Sequence, residues 1–418
     1  MKKTTMTIQA DKFLINGKLT YREIENCQYQ GLLMNARFIQ AIYDDKTDIT
    51  RYNRFGKTFD PTTNTQEFIH ALPAWYETGL RAFTVGFQGG GPCYTIDLAT
   101  IKNNPFGTDG KKIDPEYLER LAKIIDAADE LGMIVIVSLF YGMQTQNFES
   151  CEAVESATRV ACKWLKERGD KNVIIEIANE HDVETYAKRN VLFQENGIIR
   201  LIEMAQATSG GMPVGCSGRG GYFSKRIAEA SDVILIHGNS LTRNQLYNLI
   251  KKAKAITPTR PIVINEDSQA LSQMAVAFQN GVSWGYYNNM TKQEPPVNWG
   301  ITKGEDQFFA IRMKEFLTGE KTDLPLEDQF YLQGLEEEMV YEGKRFIRLA
   351  SLYPELTNYV EFFRNEELYE IAYDDPFCIN FLANWNQLPV KNIQPGEIWK
   401  AVITLIDGRK IEKKVVVK

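Results

Sequence analysis

Two glutamates stand out by their position. Glu180 follows the apolar run VIIEIA (173–178) with Asn179 between them, and Glu266 directly follows PIVIN (261–265). Short runs rich in Val and Ile read as strands buried on both faces. A carboxyl at each of two strand ends suits cleavage of a glycosidic bond. That reaction needs one proton donor for the leaving oxygen and one carboxylate on the opposite side of the sugar ring. Either glutamate alone is more readily a solvated strand end. Both together, ending the fourth and seventh of a series of such runs, read as a working pair.

The elements that would position the pair recur along three quarters of the chain. Eight apolar runs cover 31–42, 80–87, 133–140, 173–178, 212–217, 232–237, 261–265 and 281–287. Helical patterns fill 64–78, 115–131, 154–167, 197–207, 243–255, 270–280 and 307–317. The second opens on Pro115, which suits a first helical turn, and repeats Leu118, Leu121, Ile125 and Ala128 at helical spacing. Strand and helix alternating in this way predict an α/β fold, a (β/α)8 TIM barrel, which takes about 250 residues. In such a barrel chemistry gathers at the C-terminal strand ends. Here those ends offer Arg37, Gln88, Tyr141, Asn179, Glu180, His237, Asn239, Glu266, Asp267 and Trp284. Strands four and seven face one another across the mouth. An open doubly wound sheet is the rival, but GFQGGGPC (86–93) has glycines without the helix opening that a dinucleotide site requires.

Residues 338–418 alternate with period two between turn signals at Arg364-Asn365, Gln394-Pro395-Gly396 and Asp407-Gly408, predicting a small antiparallel sandwich. The polar stretch 318–328 is the expected linker, and KFLINGKLTY (12–21) reads as a hairpin turning at Asn16-Gly17. The expected organisation is an N-terminal hairpin segment 1–29, a barrel 30–325 and a sandwich 335–418. A chain of 418 residues fits this plan, at about 150 residues per domain. Hydrophobic residues at 44% and charged residues at 24% are ordinary for a globular protein and exclude disorder and coiled coil. With 48 basic against 54 acidic residues, the net charge of −6 argues against a nucleic acid partner. No apolar run approaches the ~18 residues of a membrane span. Six cysteines are spread singly, without C-x-x-C, which argues against a zinc site or a disulfide scaffold; Cys216, inside an apolar run, is expected in the core. Three histidines without H-x-H or H-E-x-x-H spacing argue against a metal-dependent hydrolase, and no cofactor is expected.

The segment IEIANEHD (175–182) resembles the acid/base strand of clan A glycoside hydrolases, family 5 above all, in which Asn-Glu closes the fourth strand. PIVINED (261–267) is similar to that clan's nucleophile strand. The likeness covers roughly 30–318. GLLMNARF, RAFTVGFQGGGP, SWGYY and PVNWGI are similar to recurrent segments of a bacterial group of family-5-like barrels. The resemblance implies a cellulase-like retaining glycosidase that cleaves β-linked oligo- or polysaccharide by double displacement, with Glu180 as acid/base and Glu266 as nucleophile. Three positions depart from the family's pattern. His181 replaces the proline after Asn-Glu, Thr84 aligns with the second-strand arginine, and Phe140 aligns with the third-strand histidine. Arg37 and Tyr141 are expected to take over the last two duties. The tail EFFRNEELYEIAYDDPFCINFLANW (361–385) resembles bacterial immunoglobulin-like modules attached to polysaccharide-acting enzymes, implying an accessory role. The opening MKKTTMTIQAD has no apolar core behind its lysines and is not a complete secretory leader. Because such modules travel with secreted enzymes, an extracytoplasmic protein with its leader removed is expected over a cytoplasmic one.

The expected substrate-binding set is Arg37, Gln88, Tyr141, Asn179, His237, Asn239 and Trp284. Asn179 could donate to a sugar 2-hydroxyl. His237 either orients Glu266, touches sugar, or is a structural histidine. Trp284 offers a flat face to a pyranose ring or belongs to the barrel core. Trp299, Tyr286 and Tyr287 are read first as packing and second as further platforms. His181 either shapes the pKa of Glu180 or points outward, and His70 is expected at the surface. The acid of the pair must hold a proton while its neighbour is ionised, so Glu180 is expected raised beside an anionic Glu266. Their carboxyls are expected ~5 Å apart, the spacing of a retaining enzyme. The alternative is a catalytically idle carbohydrate-binding barrel, which needs one carboxylate out of use.

Overall fold

The computed structural model describes residues 2–92, 94–383 and 386–418. Cys93, in the glycine loop, and Asn384 and Trp385, in the expected module strand, lie outside the described residues. An N-terminal sheet of β1 (Met6–Gln9), β2 (Lys12–Ile15) and β3 (Lys18–Leu19) precedes the barrel. Its second hairpin turns at Asn16 and Gly17, both at positive φ (52° and 77°), the conformation that favours Asn-Gly there. Met6 and Phe13 of this sheet pack with Leu33, Ala82, Ile134, Ile174, Val233 and Val263, closing the N-terminal end of the barrel with apolar side chains.

The barrel strands are β4 (Asn35–Arg37), β5 (Ala82–Gly86), β6 (Ile134–Tyr141), β7 (Val173–Asn179), β8 (Val214–Gly215), β9 (Ile234–His237), β10 (Ile262–Glu266) and β11 (Gly285–Tyr286). They fall within the eight apolar runs or at their ends. Six of them form one parallel sheet in the order β11-β4-β5-β6-β7-β8, and β9 pairs parallel with β10. The two groups meet where the Val214 carbonyl accepts from the Asp232 amide (2.8 Å) and where Val263 bridges Ser283, which completes the ring.

Around it run α1 (Pro61–Glu77), α2 (Pro115–Leu131), α3 (Cys151–Arg168), the short α4 (Asn190–Phe193), α5 (Glu195–Thr208), α6 (Lys225–Ala230), α7 (Arg243–Ile256), α8 (Leu271–Gln279), the short α9 (Asn289–Lys292) and α10 (Glu305–Thr318). Local signals set their ends. Asp114 accepts from the Glu116 amide ahead of Pro115 in α2, and Gly132 closes that helix at φ 79°. Thr242 and Gln245 form a reciprocal capping box on α7. Among the described residues the loop after β5 runs to Pro115 with a 3-10 turn and an isolated bridge, and the glycines of 86–91 open onto no helix there.

The C-terminal part is all β. One sheet joins Phe330–Gln333, Arg348–Ser351 and Phe377–Cys378, and a four-stranded antiparallel sheet joins Glu367–Ala372, Thr357–Arg364, Ile398–Leu405 and Lys410–Val416. Phe330, Leu349, Val360, Phe362, Trp399 and Ile403 form its own core. Polar contacts fix it to the barrel. Arg348 donates to Glu305 (2.6 Å) and Asn288 (2.9 Å), and Asp375 accepts from the Ser272 amide (3.1 Å) and hydroxyl (2.9 Å) near the start of α8. Among the described residues Cys27, Cys151, Cys162, Cys216 and Cys378 are free thiols, and no helix is long and apolar enough to cross a membrane.

Candidate active site

The parallel strands bring four polar side chains to one end of the barrel. Arg37 ends β4, His237 ends β9, Glu266 ends β10, and Glu180 lies one residue past β7. One carboxylate oxygen of Glu180, one of Glu266 and a ring nitrogen of His237 all lie within 4.8 Å of one another. Arg37 Nε stands 2.8 Å from Glu266 Oε2, and Asn239 Nδ2 donates to Glu266 Oε1 at 3.0 Å. His237 Nδ1 is 3.0 Å from Glu180 Oε1 and 3.8 Å from Glu266 Oε2. Arg37, His237 and Glu266 are buried, while Glu180 is partly open.

Glu180 is held by its backbone as well. Its φ of 53° is left-handed, a conformation that costs a residue with a side chain about 1–3 kcal/mol. Its amide donates to Ser217 Oγ (3.2 Å), and its carbonyl accepts from the Val183 amide (3.0 Å). Strain of this kind at the end of a rigid strand fixes where a side chain points.

Burial raises both carboxyls, and their neighbours divide them. On Glu180 burial is outweighed by the hydrogen bond and charge of His237, then by Arg37 and Asn239, so this carboxyl lies below its ordinary value. On Glu266 burial, with the charges of Glu180 and Glu176, outweighs Arg37 and His237, so it lies above. His237 is raised: burial works against its charge, but Glu266, Glu180 and Glu176 prevail. This corrects the expectation that Glu180 is the raised member of the pair. The cause is the direction of His237, which bonds to Glu180 rather than orienting Glu266.

A cleft opens over these groups, lined by Arg37, Tyr141, Asn179, Glu180, Asn239, Glu266, Tyr287, Asn289 and Gln293, with Ile39, Leu98, Met143 and Val183 as apolar walls. Asn179 Oδ1 and Asn239 Oδ1 are buried with no hydrogen-bond partner among the described residues. The Arg37 guanidinium lies 5.5 Å from the centre of the Tyr287 ring.

Three members of the expected binding set lie elsewhere. Gln88 is spanned by protein, accepting from the Tyr141 amide (3.0 Å) and donating to Asn104 (2.8 Å), so it supports Tyr141 from behind. His237 is fully buried beneath the carboxyls. Trp284 is core: its Nε1 donates to Asp267 (2.8 Å), and its ring packs among Tyr286 and Phe309. Strand phase explains it, because a side chain on Gly285 would meet Asn35 and the Ile264 carbonyl inside the barrel, which turns Trp284 and Tyr286 outward. Tyr286 stacks on Phe309 and Trp299 packs against Phe38 and Phe68, whereas Tyr287 does reach the cleft. Asn289 and Gln293 carry no legible signal, since they lie at the start of the four-residue α9 and directly after it.

The remaining candidates fall outside the cleft. Burial pushes Asp267 up to about 7 against its bonds from Trp284 and Ser268. His181 is buried behind the barrel wall, edge-on to Tyr222, and burial lowers its pKa. Asp182 accepts from the Arg219 amide (2.7 Å), and His70 is exposed on α1. Glu180, His237 and Glu266 offer the three ligand atoms a cation would need. The permanent charge of Arg37 on Glu266 opposes a divalent ion there, so the trio is better suited to handling a proton.

Residues 44–207 match the model of the family described as Cellulase (glycosyl hydrolase family 5). The match takes in β5 to β7 and Glu180; Glu266 lies beyond it. A putative glycoside hydrolase from Bacteroides vulgatus ATCC 8482 is similar in fold, at a TM-score of 0.50 and 10% identity, over 99% of this chain and 80% of that one. A glycosyl hydrolase family 2 member from Bacteroides cellulosilyticus DSM 14838 aligns at a TM-score of 0.45 and 13% identity over 99% of this chain and 48% of that one. A β-mannanase from the blue mussel Mytilus edulis aligns at 0.45 and 11% identity over 76% of this chain and 97% of that one. The chain spans about half the length of the first solved structures it matches. No curated protein matches it.

Proposed function

We propose that this chain is a retaining glycoside hydrolase of the family 5 type, cleaving β-linked oligo- or polysaccharide with Glu180 as acid/base and Glu266 as nucleophile. The observation that carries the reading is the approach of the two carboxyls to within 4.8 Å at one mouth of the barrel. Retaining enzymes hold their carboxyls about 5–5.5 Å apart, whereas inverting ones need roughly 6.5–9.5 Å to admit water between carboxyl and sugar.

Asn239 donates to one oxygen of Glu266 and the Arg37 guanidinium pairs ionically with the other, which orients the carboxylate for attack on the anomeric carbon. In the first step Glu266 forms an ester with that carbon while the leaving oxygen takes a proton from Glu180. The proton comes through a dyad, because Glu180 and His237 share one hydrogen bond. In the second step water gives its proton back to Glu180 as its oxygen attacks the same carbon, and the ester breaks. Asn179 and Asn239, each with a buried oxygen turned free, and Tyr287 are suited to the sugar hydroxyls and ring.

The resting charges, with Glu180 lowered and Glu266 raised, favour the swapped assignment of roles. The Asn239 bond and the Arg37 charge on Glu266 favour the one given. A panel of 2,4-dinitrophenyl β-glycosides (glucoside, galactoside, mannoside, xyloside), followed by the 2-fluoro analogue of whichever is hydrolysed, tests both. Turnover with retained configuration and a label on Glu266 is expected. Turnover of none of the panel or of common β-glucans and β-mannans would remove the reading, and a label on Glu180 would exchange the roles.

A further inference from the structure

A third glutamate lies inside the barrel, below the pair. Glu176 is on the inward face of β7, fully buried, between the apolar plug and the mouth. Its Oε1 accepts from Ser217 Oγ at 2.6 Å and from Asn265 Nδ2 at 2.9 Å. Both groups aimed at it are donors, the pattern of a carboxylate. Its Oε2 has no hydrogen-bond partner among the described residues.

Those two donors lead to both ends of the reaction. Ser217 Oγ, while donating to Glu176, accepts from the backbone amide of Glu180, the residue held at left-handed φ. Asn265 directly precedes Glu266, at the point where the pairing of β10 with β9 shifts register between Ile264 and Glu266. One buried carboxylate thus ties β7, β8's following residues and β10 at the places from which the two catalytic side chains leave the barrel.

Its charge matters as much as its bonds. The titratable groups that face this interior are Arg37 from β4, Tyr141 from β6, Cys216 after β8, His237 from β9, Glu266 from β10 and Tyr287 after β11, with Glu180 and Tyr186 beyond β7, while Asp267 is taken up by its bond from Trp284. Burial holds the Cys216 thiol and the Tyr186 phenol well above their ordinary values, so neither is charged. That leaves two cations, Arg37 and His237, against three carboxylates. A buried set of charges is costly unless it balances, and this one balances when the catalytic pair keeps one proton. With Glu176 neutral, two cations would balance two carboxylates and no proton would be held.

We infer that Glu176 is a positioning residue of this active site: through Ser217 and Asn265 it fixes the backbones that carry Glu180 and Glu266, and its charge keeps a proton on the pair. The inference rests on the proposed roles of those two glutamates. The same carboxylate also acts on His237 and Glu266, both of which it helps to raise.

The test uses the full chain and the dinitrophenyl β-glycoside that the wild type hydrolyses, with rate profiles against pH for Glu176→Gln, Glu176→Asp and Ser217→Ala. Glu176→Gln keeps the shape and loses the charge; its alkaline limb is expected to move to lower pH by roughly one unit. Glu176→Asp keeps the charge on a shorter arm, and its limb is expected to stay while kcat falls. Ser217→Ala breaks the link to the Glu180 amide and is expected to lower kcat by on the order of 10²-fold, the cost of a small misplacement, with KM little changed. A purely structural role would lower the melting temperature of all three and leave every profile where it was. Folded Glu176→Gln protein with the wild-type alkaline limb would overturn the inference alone, provided that Glu180→Gln and Glu266→Gln are inactive. Full activity in those last two variants would remove the functional reading and the inference with it.

Discussion

His237 Nδ1 stands between two carboxyls, 3.0 Å from Glu180 Oε1 and 3.8 Å from Glu266 Oε2, with its ring fully buried. The shorter contact is a hydrogen bond between Glu180 and His237, and groups this close influence one another's titration. Arg37 supplies a permanent charge at that same Oε2 of Glu266, 2.8 Å from its Nε. The site is thereby divided into Glu266, paired with an arginine, and Glu180, hydrogen-bonded to a histidine.

Replacing His237 tests that division with a definite sign. Its hydrogen bond and charge are the main influences that bring Glu180 down against burial. In His237→Gln the cation is gone, so Glu180 should rise and the alkaline limb of the rate profile should move to higher pH. The rate should also fall by roughly 10²-fold or more, as general acid catalysis contributes ~10²–10⁴. Titration on a dinitrophenyl glycoside and on a substrate with a poor leaving group reads both effects. A limb that moves to lower pH would contradict the hydrogen bond as drawn.

Small nucleophiles separate the two glutamates. Glu180→Ala should still form the glycosyl-enzyme from a dinitrophenyl glycoside, which needs little protonation, and then stall because nothing activates water. Azide should restore turnover and give a β-glycosyl azide. Glu266→Ala cannot form the ester, and azide filling the vacated side should give the inverted α-azide. Product configuration by NMR reads the outcome, and exchanged configurations would exchange the roles.

The chain announces its barrel more clearly than its site. Val/Ile runs with helical stretches between them are enough to place all eight strands, because each strand is buried on both faces and reads as continuous apolar sequence. The short α6 escapes the same reading: KRIAEA buries only Ile227 and Ala228, too little for a helical stripe. Glu180 and Glu266 are legible because a carboxyl at the end of an apolar run is conspicuous. Glu176 lies inside one such run, where a single polar residue in VIIEIA gives no sign that Ser217 and Asn265 converge on it. Trp284 shows the other limit. Inward and outward positions alternate, but in SWGYY the inward place falls to a glycine, so residue type points to the wrong neighbour.

That correction is itself testable. Trp284→Phe keeps the ring and removes the donor to Asp267, leaving a buried acceptor short of a partner. It should cost about 1–3 kcal/mol of stability, seen in denaturant midpoints, with KM almost unchanged. Tyr287→Ala should do the reverse, raising KM several-fold by removing a wall of the cleft and the ring beside Arg37. If Trp284→Phe raised KM and left stability intact, the tryptophan would be a substrate platform after all.

The junction between barrel and C-terminal module should respond to pH through Asp375. Burial pushes this carboxyl up to about 7, against its bonds from Ser272. A carboxyl raised on folding binds its proton more tightly in the folded state, so its contribution to stability is complete below its unfolded pKa of about 3.9. That contribution is lost as pH rises through the folded value near 7. Glu305, which meets Arg348 of the module, is likewise raised by burial to about 7 and adds to the same trend. The melting temperature should therefore fall between about pH 4 and pH 7 by this route and level off above it. Asp375→Asn keeps an acceptor for the Ser272 amide and hydroxyl but has no proton to lose, so its melting temperature should depend less on pH over that window and exceed the wild type's at pH 8. Parallel curves for the two proteins, with the variant uniformly lower, would mean that Asp375 serves as an ionised cap on α8 throughout.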